Sequence, residues 1–229
     1  MKLNTNSNAY IIIYSAILVV IVAFLLAFVY QALKPMQDAN VALDVKKQIL
    51  YSLNIRDLDG AEAEAKYAEV VKEEGEVDGQ KYYLCDINGE DVLVVSMKGM
   101  GLWGGISGFV SIHGDETPTV YGAYFNHESE TAGLGAEIKD SQAWQEKFIG
   151  KKVFVDGTQD VAISIVKKVE DPTTQVDVVT GATLTSNGVN DMIKAGLKDA
   201  GKNAVGLFVK MMCTAPADST AVEPKAEEE

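Results

Sequence analysis

Apolar positions along the chain follow three different periods. Residues 10–33, "YIIIYSAILVVIVAFLLAFVYQAL", contain no charged side chain. At about 1.5 Å rise per residue, a helix of that length crosses a hydrocarbon core of roughly 30 Å with some tilt. A cleavable signal would carry an apolar stretch of about 7–15 residues followed by a small-x-small site. This stretch is longer and runs into Gln31 and Lys34, so it predicts a retained transmembrane helix over 10–33 behind a short segment, 1–9. Tyr10, Tyr14 and Tyr30 suit the two membrane–water interfaces. Charge leaves the orientation open. Lys2 lies on one side, and Lys34, Lys46 and Lys47 lie on the other, diluted by Asp38 and Asp44.

Past the span the period becomes helical. Val41, Val45, Ile49 and Leu53 fall on one face and predict a helical connector within 34–60. "GAEAEAKYAEVVKEE" is rich in good helix formers and predicts a second helix. The period then drops toward two. "KYYLCDI" and "VLVVSM" flank Asn88-Gly89 and predict a hairpin, and "GFVSIHG" and "TVYGAYFNH" predict further strands. "SQAWQEKF" predicts a short helix, "KKVFV" and "VAISIVKKV" two more strands. Val189, Met192, Ile193, Gly196 and Leu197 predict a last helix starting near Ser186. Strands grouped between terminal helices point to an α+β fold: one soluble domain over 61–213 with a largely antiparallel sheet, behind a single N-terminal transmembrane helix. The segment 214–229, "TAPADSTAVEPKAEEE", is small, polar and acidic and predicts a disordered tail.

Charge and cysteines narrow the chemistry. A net charge of −13 argues against nucleic acid, whose phosphates demand clustered Lys and Arg. Cys85 and Cys213 form no C-x-x-C pair, and His113 and His127 are the only histidines, so no metal site is predicted. No Gly-x-Gly-x-x-Gly fingerprint occurs, and the span holds no charge, so neither dinucleotide binding nor ion conduction is assigned to this chain.

One stretch carries chemistry. "DVVTGATLTSNGV", residues 177–189, groups Thr180, Thr183, Thr185 and Ser186 around Gly181-Ala182 at a predicted helix start. Unpaired amides and the positive end of the helix dipole favour an anion there. An ordinary helix cap with turn residues fits the spacing as well. No histidine lies nearby to act as base, which disfavours self-contained acyl or phosphoryl transfer.

"DVVTGAT" resembles the flavinylation motif of the FMN-binding domain family, Asp-x-x-Ser/Thr-Gly-Ala-Thr/Ser. The resemblance implies FMN joined through a phosphoester to Thr183, placed there by a separate flavin transferase with FAD as donor. Asp177, Thr180, Gly181 and Ala182 become the recognition frame, with Thr185 beside it. "GLWGGI" and "HESETAGLG" resemble the family segments that flank the isoalloxazine ring, although Ala132 stands where the family usually has Pro. They imply that Trp103, Glu130, Thr131, Leu134 and Gly135, together with Thr180, Gly181, Ala182 and Thr185 of the motif, bind the cofactor, with no catalytic residue in the chain itself. The span, "KKQIL" and "TGATLTSNGV" are similar to the anchored member found in sodium-translocating NADH:quinone oxidoreductases, with its homologue in the Rnf ion-translocating complex as the alternative. That resemblance implies an electron carrier within a complex of six subunits in a bacterial inner membrane, with residues 1–9 cytoplasmic and the flavin domain periplasmic. The residues alone also fit a redox-silent, membrane-anchored extracytoplasmic scaffold domain.

Overall fold

The computed structural model describes residues 7–114, 117–158, 160–198 and 206. The expected acidic tail and Cys213 lie outside the described residues. The chain divides into two compact units, Met1–Val45 and Lys46–Glu229.

Helix α1, Asn8–Ser52, is one unbroken helix with Pro35 inside it, so the predicted span and connector are continuous. Proline deletes one backbone hydrogen bond, and the helix runs through that loss. The first unit holds the only helix among the described residues that is long and apolar enough to cross a membrane. Its apolar side chains, Ile12, Val20, Phe24 and Phe28 among them, are exposed. Tyr10 stacks on Tyr14, and the Lys34 ammonium lies over the Tyr30 ring, so aromatic groups mark both ends of the apolar stretch.

The second unit begins with the last turns of α1. Helix α2, Gly60–Val70, starts at a capping box in which Asp59 and Glu62 satisfy each other's backbone amides. It stops at Val71, where the sequence predicts more helix. Val71–Val77 is instead strand β1. Glu73, Glu74 and Glu76 suit a helix by local propensity, but they line a sheet edge. The Tyr82 and Tyr67 hydroxyls donate to Glu73 and Glu74 at 3.0 and 2.8 Å. Strand preference is set by such neighbours more than by the backbone. Strands β2 (Gln80–Ile87), β3 (Glu90–Met100), β4 (Gly105–His113) and β5 (Thr119–His127) follow, and the sheet order is the chain order, antiparallel throughout. Asn88 and Gly89 both have positive φ, the turn that the right-handed strand twist selects.

Both faces of the sheet are covered. On one, Ile49, Leu50 and Leu53 are buried, Tyr51 packs on Tyr124, and the Ser111 hydroxyl donates to the carbonyls of Ser52 and Gly122. On the other, helix α5 (Thr183–Leu197) lays Val189, Met192, Ile193 and Leu197 into one cluster with Leu93, Val95 and Met97 of β3. Phe125, Trp144 and Phe148 complete this cluster, with ring centroids 5.2–5.7 Å apart.

Short helices α3 (Glu137–Asp140) and α4 (Gln142–Gln145) and a 3-10 turn (Glu146–Phe148) lead away from β5. The predicted strand "KKVFV" keeps only isolated bridges at Lys152 and Phe154, and "VAISIVKKV" shortens to β6, Ser164–Val166. β6 pairs in parallel with β7, Gln175–Asp177, a small second sheet that period alone did not predict. The fold is α+β with a mainly antiparallel sheet.

Candidate functional site

α5 begins at Thr183, three residues before the predicted start, with Ala182 as its N-cap. The motif threonine is therefore the first residue of the helix. The first amides of a helix have no intrahelical partner, so Thr183 stands where backbone donors are unpaired by the helix itself. The loop before it is held by its own bonds. The Ser186 hydroxyl accepts from the Val179 amide at 3.0 Å, and the Ala182 amide donates to the Val179 carbonyl at 3.0 Å. Gly181 has a φ of +78°, a conformation that costs a side-chain-bearing residue strain. Thr180 and Gly181 are exposed, Thr183 is half-buried, and Thr185 is buried.

Three segments far apart in sequence meet at this helix end. The Thr185 hydroxyl donates to Glu130 Oε2 at 2.6 Å. The Trp103 amide donates to Glu130 Oε1 at 2.9 Å. Glu130 is 7% exposed. Burial pushes its carboxyl up, but the Thr185 hydroxyl and the amides of Trp103, Leu102 and Gly104 pull it down further, so it lies below the ordinary 4.5. A side chain on Gly101 would land on Glu130 Oε1, and one on Gly135 would land on Oε2. The Thr131 carbonyl accepts from the amides of Leu134 and Ala136 at 3.1 and 3.0 Å, closing the loop that presents Leu134 beside Gly181. His127 accepts the Glu130 amide on Nδ1 and so acts as a loop brace.

The rim of this site is apolar and uncovered. Trp103 is 67% exposed and Leu184, next to Thr183, 60%; Leu102 and Leu134 are also exposed. Trp103, Glu130, Thr131, Leu134, Gly135, Thr180, Gly181, Ala182, Thr183 and Thr185 fall in one region. A half-buried hydroxyl at a helix start and an exposed apolar rim suit a ligand that carries both an anionic group and an apolar ring.

Asp177 opens the motif at the end of β7. Lys147 contacts both its carboxylate oxygens at 2.9 and 2.8 Å, and Trp144 Nε1 donates to its backbone carbonyl at 2.8 Å. These residues line a hollow of about 550 Å³ that reaches Leu134, Thr180 and Gly181. The motif has no cation of its own, yet the fold supplies one. Lys147 stands 30 positions away, and no local pattern signals the pairing. The exposed Leu102 and Leu184 were missed as well; both lie beside residues the motifs singled out. Among the described residues no cluster of His, Cys, Asp and Glu could hold a metal.

Residues 101–198, which contain every position of the site, match the family described as the FMN-binding domain. The chain is 38% identical over 128 residues to the C subunit of the Na(+)-translocating NADH-quinone reductase of Pseudomonas aeruginosa, covering 53% of this chain and 48% of that protein. It is 39% identical over 157 residues to the protein of the same name from Haemophilus ducreyi, covering 67% and 54%. The crystal structure of the same reductase component from Parabacteroides distasonis superposes with a TM-score of 0.66 at 32% identity, covering 72% of this chain and 93% of that one. NqrC from Shewanella oneidensis shares the fold, with a TM-score of 0.61 at 19% identity over 75% and 97% of the two chains. This chain belongs to the family of C subunits of the Na(+)-translocating NADH-quinone reductase. It spans about half the length of the curated relatives it matches.

Proposed function

We propose that this chain is a membrane-anchored one-electron carrier with FMN esterified to Thr183, working inside a sodium-translocating NADH:quinone reductase. The observation that carries the reading is Thr183 itself: a half-buried hydroxyl at the first position of α5, in the family motif, with an exposed apolar rim of Trp103, Leu134 and Leu184 around it. A flavin transferase adds the group. The Thr183 oxygen attacks the FMN phosphorus of FAD, the diphosphate bond breaks, and AMP leaves while the hydroxyl proton is lost. This division of labour suits a motif with no histidine near Thr183 in sequence. The tethered phosphate keeps one negative charge, which first-turn amides can hold. Residues Trp103, Thr131, Leu134, Gly135 and Thr180 to Thr185 then position the ring and exclude water from it. Electron chemistry belongs to the flavin.

The apolar part of α1 anchors the chain in a bacterial inner membrane, with residues 1–9 cytoplasmic, 10–33 spanning, 34–60 connecting and the flavin domain, 61–213, periplasmic. Donor and acceptor lie on other members of a complex of six subunits. Co-expression with a flavin transferase, followed by a denaturing gel under blue light, tests the core of the proposal. A fluorescent band near 25 kDa that Thr183→Val abolishes and Thr183→Ser partly restores supports it. Peptide mass spectrometry with the FMN adduct on Thr180 or Thr185 overturns it.

A further inference from the structure

Among the described residues Glu130 is the one buried carboxylate. It is almost fully buried, and the amide of Trp103 and the hydroxyl of Thr185 point at separate oxygens. The amides of Leu102 and Gly104 add to the donor set. Gly101 and Gly135 leave room for the two oxygens, and a side chain on either would displace the carboxylate. Burying an ionised carboxylate is costly, and a similar-sized apolar residue often packs as well or better. Donors converging from two sequence-distant segments, with glycines cleared on two sides, mark the charge as the feature that the site is built to keep.

The segments it joins are those assigned above to the flavin. Glu130 lies in one ring loop and holds the backbone of the other, at 102–104. It also holds Thr185, two residues past the attachment threonine. We propose that Glu130 is the positioning residue of this site: its ionised carboxylate ties both ring loops and the first turn of α5 into one frame before the cofactor arrives, and its fixed negative charge lowers the reduction potential of the attached flavin. The second half rests on the flavin reading, the first does not. Adding an electron to the ring builds negative charge, and a nearby buried anion screened by little water opposes it.

Two substitutions separate the frame from the charge. In Glu130→Gln the amide keeps an oxygen for the backbone donors and turns its NH2 toward the Thr185 hydroxyl, so shape survives and charge goes. Glu130→Ala removes both. The full-length chain made without transferase is followed by amide hydrogen exchange, and the flavinylated chain by redox titration. Expected are about tenfold faster exchange at residues 102–104 in Glu130→Ala with β2 and β3 still protected, and change within about threefold in Glu130→Gln. The Glu130→Gln flavin titrates at a more positive potential than wild type. Unchanged exchange in Glu130→Ala overturns the frame, and an unchanged or more negative potential in Glu130→Gln overturns the charge. If Glu130→Ala loses protection throughout β2 and β3, Thr185→Val replaces it: faster exchange at 102–104 alone supports the frame, and wild-type exchange there overturns it. A wild-type chain that takes no flavin refutes the flavin reading and, with it, the charge half, while the exchange experiment still decides the frame.

Discussion

The ammonium of Lys147 contacts both carboxylate oxygens of Asp177, the first residue of the motif, while Trp144 holds the Asp177 carbonyl. The side chain and the backbone of Asp177 are thus secured independently. Both charged groups are 45% exposed, and pairs in that setting contribute about 0–1 kcal/mol.

Asp177→Asn should therefore lower thermal stability by less than about 1 kcal/mol, because Trp144 keeps the backbone in place. Its covalent flavin yield should fall sharply if the carboxylate is read by the transferase. Thermal unfolding and in-gel fluorescence of the same preparation check both halves. A yield equal to wild type would remove Asp177 from the recognition frame.

Trp103→Ala should leave the fold intact, since two-thirds of that residue is exposed and its hydrogen bond to Glu130 comes from the backbone amide, which alanine keeps. Covalent attachment should persist, with altered flavin fluorescence or potential. Identical spectra and titration curves would show that the ring does not lie against Trp103.

Phe125→Ala should destabilise the domain by about 3–5 kcal/mol, because Phe125 is fully buried between Trp144 and Phe148. Denaturant unfolding measures this directly. The same loss would loosen the Trp144 contact to Asp177, so flavin yield should drop with stability rather than independently of it.

Acid should weaken the site in a defined direction. The Glu130 carboxyl is held below its ordinary value, so the folded state binds fewer protons there than the unfolded chain. Its contribution is present above the ordinary carboxylate range and is lost as pH falls through the lowered folded value. The stability gap between wild type and Glu130→Gln should be widest near neutral pH and should close in acid. A gap that stays constant would mean that ionisation of Glu130 contributes nothing.

The Cys85 thiol is pushed up to about 12 by burial and then by the Glu74 charge. In a chain carrying Cys213→Ser, thiol reagents near neutral pH should leave Cys85 untouched until the domain unfolds, because the thiolate is the reactive form. Rapid labelling of folded protein would contradict its placement in the core.

Local signals in the chain were legible wherever the structure uses them locally. Asn88-Gly89 specified its hairpin because positive φ is a property of those two residues. Val189, Met192, Ile193 and Leu197 specified the buried face of α5 because the period is built into the helix. The motif put Thr183 close to a helix start, and α5 begins at that residue. What stayed hidden depends on partners distant in sequence. β1 resembles a helix by composition and becomes a strand paired with β2, where the Tyr67 and Tyr82 hydroxyls donate to its glutamates. β6 and β7 are three residues each, too short to establish a period, and exist by pairing with each other. Lys147 and the clasp at Glu130 are contacts across 30 and 55 positions, which no window along the chain contains.

Strand order bears on when the site comes into being. Each strand from β2 to β5 pairs with its predecessor, so the sheet can close stepwise from residues 71–127 as they emerge. Thr183 and Thr185 reach the assembly only after some fifty further residues, and they dock on a sheet and two loops that are already waiting. Attachment at Thr183, as proposed above, would thereby be reserved for a finished domain, and the flavin would stamp completed folding. A ribosome-arrested chain ending before Val189 should show protected amides in β2 to β4 and accept no flavin from the transferase, whereas the released chain accepts it.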